Sequence, residues 1–202
     1  IFLIFSLIPI LFALYTSFTN WNLNGTPDFV GLANYKEILF NTESTFHFQF
    51  FNGLKNTIIF VLIQTPLNII LPFLIALAIS SKVKFNKFFQ SVFYIPGLFS
   101  VTAVGIIFSM VFDKNLGIIN ALLNTDTVLT KTQPYAWITI FIMSLWWGIG
   151  GNMIIYIAAI AGVDPGLYEA ASIDGAGAFK KFFYITLPSI KFQMLYTVVM
   201  TT

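Results

Sequence analysis

The chain has 202 residues, 57% of them hydrophobic, 18% aromatic and only 9% charged, with a formal net charge of +2 and no cysteine. A soluble domain carries roughly 25% charged residues, so a soluble globular fold is excluded. The small net charge leaves no electrostatic footprint for nucleic acid, and without cysteine the redox compartment cannot be read.

The charges are clustered. All ten basic and eight acidic residues fall outside five stretches: 1–27, 56–81, 88–112, 132–163 and 192–202. A helix needs about 20 apolar residues to cross a hydrocarbon core. Four stretches are that long, and the fifth stops with the chain. Only helices and closed barrels satisfy their backbone in lipid, and these runs lack a barrel's alternation. The expected fold class is therefore all-α, a polytopic helical membrane protein. Residues 1–202 are read as one transmembrane domain with spans at about 1–19, 56–80, 88–112, 135–161 and 192–202. The sequence starts inside an apolar run with no initiator Met and no basic flank, and stops inside another. It is read as a fragment, and the first run lacks the charged start and small-residue cleavage site of a signal peptide.

After the first span comes a polar segment to Lys55, with turn residues Asn24-Gly25-Thr26-Pro27 and with Asn34 placed to cap a short helix through Phe40. His47 is read as a solvated residue of this loop. In the second span, Gln64 and Asn68 lie one turn apart beside Pro66 and Pro72; they are read as hydrogen-bonding between helices rather than touching substrate. A short basic linker, 81–87, leads to the third span, and a second polar loop covers 113–134. In the fourth span, Ser144, Trp147, Gly148 and Gly151 share one helical face. Membrane tryptophans favour the interfaces, yet Trp146 and Trp147 lie near mid-span. Two readings fit that face. It is an aromatic floor for a sugar ring on a polar path shielded from lipid, or it is a glycine-mediated packing seam with Trp147 filling space.

The segment 162–191 is polar and rich in small residues. Asp164 is a good N-cap with Pro165 at the first helical position, so a helix is expected over 165–173. Asp174-Gly175 reads as a break. A second helix over about 178–185 would turn Phe179, Phe182 and Phe183 to the membrane and Lys180 and Lys181 to water, with Pro188 ending or kinking it. Helices this short need tertiary support or a docked partner. By itself the segment reads equally as a docking surface or as a surface loop with caps. Lysine bias sets orientation: 81–87 and 162–191 hold six lysines against four in the loops 20–55 and 113–134. Segment 162–191 is thus expected in the cytoplasm. His47 is the only histidine and no Gly-Lys pair exists, so no catalytic residue, metal ligand or phosphate-binding loop is assigned. Gly175-Ala176-Gly177 without a preceding strand carries no nucleotide signal.

These residues resemble a known family. Glu169-Ala170-Ala171, Asp174-Gly175-Ala176 and Ile185-Thr186-Leu187-Pro188 are similar to the EAA loop of ABC importer permeases, in the carbohydrate-uptake branch and the class of the large maltose permease subunit. Ser17-Phe18-Thr19-Asn20-Trp21, Phe29-Val30-Gly31-Leu32-Ala33-Asn34-Tyr35, Asn56-Thr57 and Phe93-Tyr94-Ile95-Pro96 agree with it. Phe192 departs from it, since many members carry proline after the Leu-Pro pair.

The resemblance implies an ABC importer type I permease fold with about five of six core spans present, in a bacterial cytoplasmic (inner) membrane. It implies that Glu169, Ala170, Ala171, Asp174 and Gly175 form a coupling helix and turn for a cytoplasmic ABC ATPase dimer. Glu169 would pair with a basic residue of the ATPase, the alanines would permit close packing and Gly175 would make the turn. Ser144, Trp147, Gly148, Gly151 and Thr201 would line the solute path. ATP and Mg would sit on the ATPase, with no cofactor on this chain. A second, different permease subunit, an extracytoplasmic solute-binding protein and membrane lipid complete the expected partners, and a sugar is the expected cargo. The alternatives are a non-sugar solute carried by the same machine, or a self-contained channel or membrane enzyme.

Overall fold

The structure is a computed structural model that describes residues 2–22, 25–81 and 84–202. Ile1 of the first span, Asn24 of the first turn and Lys82 of the basic linker lie outside the described residues. The chain divides into two compact units, 1–59 and 60–202.

In the first unit, a π-helical turn, Leu3–Leu7, runs into helix α1, Ile8–Ser17. Two short strands follow, β1 (Thr19–Asn20) and β2 (Asp28–Phe29), paired antiparallel with Thr19 opposite Phe29. This hairpin is a β element in a chain read as all-α. It brings together two stretches that the sequence reading had only compared with a family loop. Helix α2, Ala33–Phe40, begins one residue before Asn34, so Asn34 is not its cap. Its amide donates instead to the carbonyls of Ser17 and Thr19, both at 2.9 Å. The Ser17 carbonyl ends α1 and has no helical donor, and Thr19 lies in β1, so Asn34 ties the loop back onto the end of the helix and the start of the hairpin. Tyr35 Oη reinforces the tie at 2.7 Å from Ser17 Oγ.

Helix α3, Thr45–Ser80, runs 36 residues through the boundary between the units. It starts eleven residues before the expected second span. Ser44 opens it, its hydroxyl accepting from the Phe46 N–H at 3.2 Å, and nothing between there and Lys55 breaks a helix. Charge marks where lipid begins, not where a helix begins. His47 is accordingly helical and partly buried, with Nδ1 donating to the Ile38 carbonyl at 2.9 Å. This corrects its reading as a solvated loop residue.

In the second unit, the expected third span is two helices. Helix α4, Asn86–Tyr94, passes into a 3₁₀ turn, Ile95–Leu98, and helix α5, Val101–Val111, leaves at 101° to it. Pro96 removes a helical N–H and disfavours a continued α-helix, Phe99 is extended, and the Ser100 hydroxyl caps α5 by accepting from the Ala103 N–H at 3.2 Å. The loop 113–134 contains helix α6, Ile118–Leu123. Its buried Asn120 donates to the carbonyls of Asp113 and Thr127. Backbone N–H groups of Leu116 and Asn115 hold the Asp113 carboxyl below its ordinary range.

Helix α7, Tyr135–Ala161, and α3 are each long and apolar enough to cross a membrane. Beyond α7 come α8 (Pro165–Ile173), α9 (Ala178–Lys181), a π-helical turn (Phe182–Thr186), α10 (Leu187–Ser189) and α11 (Lys191–Thr201). Pro188 lies in α10, and the run breaks two residues later at Ile190, whose backbone leaves the helical region (φ −103°, ψ 9°) before α11 begins. The turn before Pro188 is a π turn, in which the Leu187 N–H reaches the Phe182 carbonyl.

The core of the second unit joins Phe73, Ala76 and Ile79 of α3 to Met153 and Tyr156 of α7, with Val163 and Ile190 closing it. Phe182 turns inward, its ring stacked 5.9 Å from Phe73, rather than outward as its neighbours in sequence suggested. The tightest backbone approach between α4 and α7 lies at Gly150. A Cβ there would sit 2.4 Å from the Phe93 carbonyl oxygen and 2.6 Å from Tyr94 Cα, whereas one on Gly151 would meet nothing within 4 Å. We expect Gly150→Ala to destabilise the purified protein by ~1–3 kcal/mol, the usual range for overpacking, and Gly151→Ala to leave thermal unfolding unchanged. Equal effects at the two positions would contradict this packing.

Candidate functional site

The segment 162–191 forms the expected short helix and break. The Asp164 side chain accepts from the Gly166 N–H at 2.9 Å with Pro165 at the first helical position, and α8 ends at Ile173. Gly175 has φ +71°. The Ala176 N–H reaches the Ala171 carbonyl at 2.8 Å and the Gly175 N–H reaches Ser172 at 3.1 Å. This pair of reversed bonds is a Schellman motif, which needs a left-handed residue at its centre.

Two side-chain bonds hold α8 against the following segment. Tyr168 Oη lies 2.9 Å from Thr186 Oγ1, and Lys181 Nζ donates to Ser172 Oγ at 2.6 Å. Lys181 thus spends a donor inside the segment rather than facing only water. With Tyr168 and Ala171 turned inward, α8 leaves Glu169 and Ala170 on the outside, and Asp174 and Gly175 are exposed at its end. Glu169 has no cation partner among the described residues. Ile173 is 88% exposed; the sequence reading passed over it, although an isoleucine beside Asp-Gly in a polar segment was a usable signal.

The second predicted group is only partly brought together. Ser144 and Trp147 are half-buried, and Gly148 and Gly151 are exposed on α7. The Trp147 indole N–H donates to the Phe99 carbonyl at 3.1 Å, across the break between the 3₁₀ turn and α5. A Cβ on Gly148 would lie 3.9 Å from Asn68 Oδ1. Thr201 joins this group through Asn152, whose amide lies 3.3 Å from Thr201 Oγ1. Asn152 was missed by the sequence reading, although it falls one turn after Gly148 as an uncharged polar residue in an apolar helix.

Gln64 and Asn68 do not bond between helices through their side chains as expected. The Gln64 amide donates to Asn68 Oδ1 one turn on, at 3.2 Å. The link between helices is to the Asn68 carbonyl, from Asn152 at 2.9 Å. Gln64 is 3% exposed, and its Oε1 has no partner among the described residues. Gln64, Asn68, Asn152 and Thr201 thus form a polar seam joining α3, α7 and α11. No group of three or more metal-ligating side chains occurs among the described residues.

Bent and long apolar helices around a polar seam, with a short pinned helix after the last long one, define a membrane permease fold. The fold matches that of a crystal structure described as a bacterial ABC transporter involved in the import of the acidic polysaccharide alginate. The TM-score is 0.78 at 23% identity, over 98% of this chain and 67% of that one. Residues 68–202 match the family described as the binding-protein-dependent transport system inner membrane component, and the chain belongs to that family. It is 35% identical over 196 residues to the arabinooligosaccharides transport system permease protein AraP of Halalkalibacterium halodurans, covering 94% of this chain and 60% of that protein. It is 29% identical over 210 residues to the probable ABC transporter permease protein YurN of Bacillus subtilis, covering all of this chain and 70% of that protein. The chain therefore spans about 60–70% of the length of these relatives.

The left-handed turn yields a local prediction. Gly175→Ala meets no steric clash but places a Cβ in the left-handed region, at a cost of roughly 1–2 kcal/mol. Hydrogen exchange across 170–177 should accelerate in Gly175→Ala and less so in Gly175→Asn, with the long helices unaffected. Unchanged exchange would mean that the turn is not needed to hold α8.

Proposed function

We propose that this chain is the transmembrane permease subunit of an ATP-driven, binding-protein-dependent sugar importer. It acts as one transmembrane permease domain and couples ATP hydrolysis on a separate subunit to alternating access. The observation that carries this reading is α8. A pinned helix of nine residues exposes Glu169, Ala170 and Ile173 in a chain of the binding-protein-dependent family. The carboxylate supplies charge, the alanine lets a partner approach closely, and the isoleucine supplies apolar area. The lysine bias supports a cytoplasmic position for 162–191 and external positions for the loops 20–55 and 113–134.

In this reading a cytoplasmic ABC ATPase dimer carries ATP and Mg and receives α8. An extracytoplasmic solute-binding protein delivers the solute, and a second, different permease subunit completes the pore. ATP-driven closure of the ATPase pair shifts the population between inward-open and outward-open states through differential binding to the two. The solute passes the face carrying Ser144, Trp147, Gly148 and Gly151, with Thr201 across from it. Relatedness to a protein named for arabinooligosaccharide transport supports a sugar as the cargo.

Three measurements test this. A thermal-shift screen of the cognate solute-binding protein against a sugar panel should return a stabilising sugar; a hit confined to non-sugar solutes would redirect the cargo. Glu169→Lys should still insert, yet lower uptake in the reconstituted transporter by at least about tenfold, equivalent to ~1.4 kcal/mol. Normal transport by that variant would remove the coupling role. Trp147→Ala should lower uptake while the ATPase still co-purifies. Trp147→Phe, which keeps a ring but removes the bond to Phe99, then separates a contact with solute from support of the bend. Unchanged uptake in Trp147→Ala would move the solute path elsewhere.

A further inference from the structure

Helix α3 continues through Pro72, which is buried and has no N–H to give. The carbonyl that residue 72 would ordinarily serve lies four residues back, on Asn68. In a spanning helix such a released carbonyl is tolerated when a neighbouring group supplies a donor. Here the donor comes from a different helix. Asn152 Nδ2 on α7 lies 2.9 Å from the Asn68 carbonyl oxygen and 3.3 Å from Thr201 Oγ1 on α11. Turning the amide over would set its oxygen against the carbonyl oxygen, so the nitrogen must face Asn68. One nitrogen therefore uses both of its hydrogens, on two helices, and a primary amide is suited to that task. Its bond to Thr201 makes the threonine oxygen an acceptor and leaves the hydroxyl proton free to donate elsewhere. Gly148, one turn before Asn152, faces Asn68 Oδ1 and leaves this seam open on its α7 side.

We propose that Asn152 is a positioning residue that closes the gap left by Pro72 and, with the same amide, orients the Thr201 hydroxyl as a donor toward the passing solute. The orienting role rests on the solute-path reading above; the closure of the Pro72 gap does not.

The test is a double-mutant cycle on the whole assembled transporter in nanodiscs. Asn152→Leu keeps the volume and removes both donors, and should lower the unfolding temperature by about 3–6 °C. Pro72→Ala restores an N–H at residue 72, so the Asn68 carbonyl is served from within its own helix. In the Asn152→Leu background it should recover at least about half of the loss, judged against Pro72→Ala alone. Additive losses would overturn the proposal. Should Asn152→Leu fail to assemble, Asn152→Ser takes its place with the same two outcomes.

Uptake is then measured with the radiolabelled sugar that best stabilises the binding protein in the screen above. Asn152→Leu and Thr201→Val should each raise the half-saturating concentration by roughly 3–10-fold with the maximal rate retained. The double variant should be no worse than either single, because both remove one arrangement. Multiplying effects, or a fall in maximal rate alone, would overturn the orienting role. A Thr201→Val variant with unchanged uptake beside a non-additive thermal cycle would instead overturn the solute-path reading and leave the closure of the Pro72 gap standing.

Discussion

Inside a hydrocarbon layer every backbone N–H and carbonyl must find a protein partner, and the second unit is organised by how it meets that demand where its helices fail. At Pro72 the released carbonyl is met by Asn152 from another helix. At the 101° bend the unpaired Phe99 carbonyl is met by Trp147. Before Pro188 the helix widens into one π turn, with the Leu187 N–H on the Phe182 carbonyl. Serine and threonine add local bonds of the same kind, as with Ser189 to Ile185. Both repairs made from another helix come from α7, so this helix fastens the irregular parts of its neighbours.

The sequence made the apolar helices legible because charge and hydropathy report directly on lipid. It also made α8 legible to the residue, because Asp164-Pro165 and Gly175 carry local backbone preferences that need no tertiary context. Elsewhere tertiary context decided. Asn34 has the side chain of a cap, yet the end of α1 takes its amide. The start of α3 is hidden in the sequence because Lys55 marks the edge of an uncharged run and not the edge of a helix. The bend at 95–100 was signalled by Pro96-Gly97, but a window counted for charge alone runs straight through it.

The candidate site was legible to a similar degree and for similar reasons. The residues of α8 announced themselves by composition. On α7, the spacing of Ser144, Gly148 and Gly151 picked out one side of the helix, but the glycine with the closest backbone neighbour is Gly150, off that side. Asn152 escaped notice because its role depends on a proline eighty residues away, and no periodicity within α7 can reveal that relation.

The anchoring of α8 has a mechanical consequence. A short helix on two slack connections absorbs a push by tilting. Here Tyr168 is bonded to the buried Thr186, Ser172 to Lys181, and the far end is locked by the turn at Gly175. Tilting α8 would break these bonds, so a load on it would pass to Thr186 and toward Ile190, which packs in the core. In lever terms, α8 would be the handle and the segment 178–190 the shaft that joins it to the core.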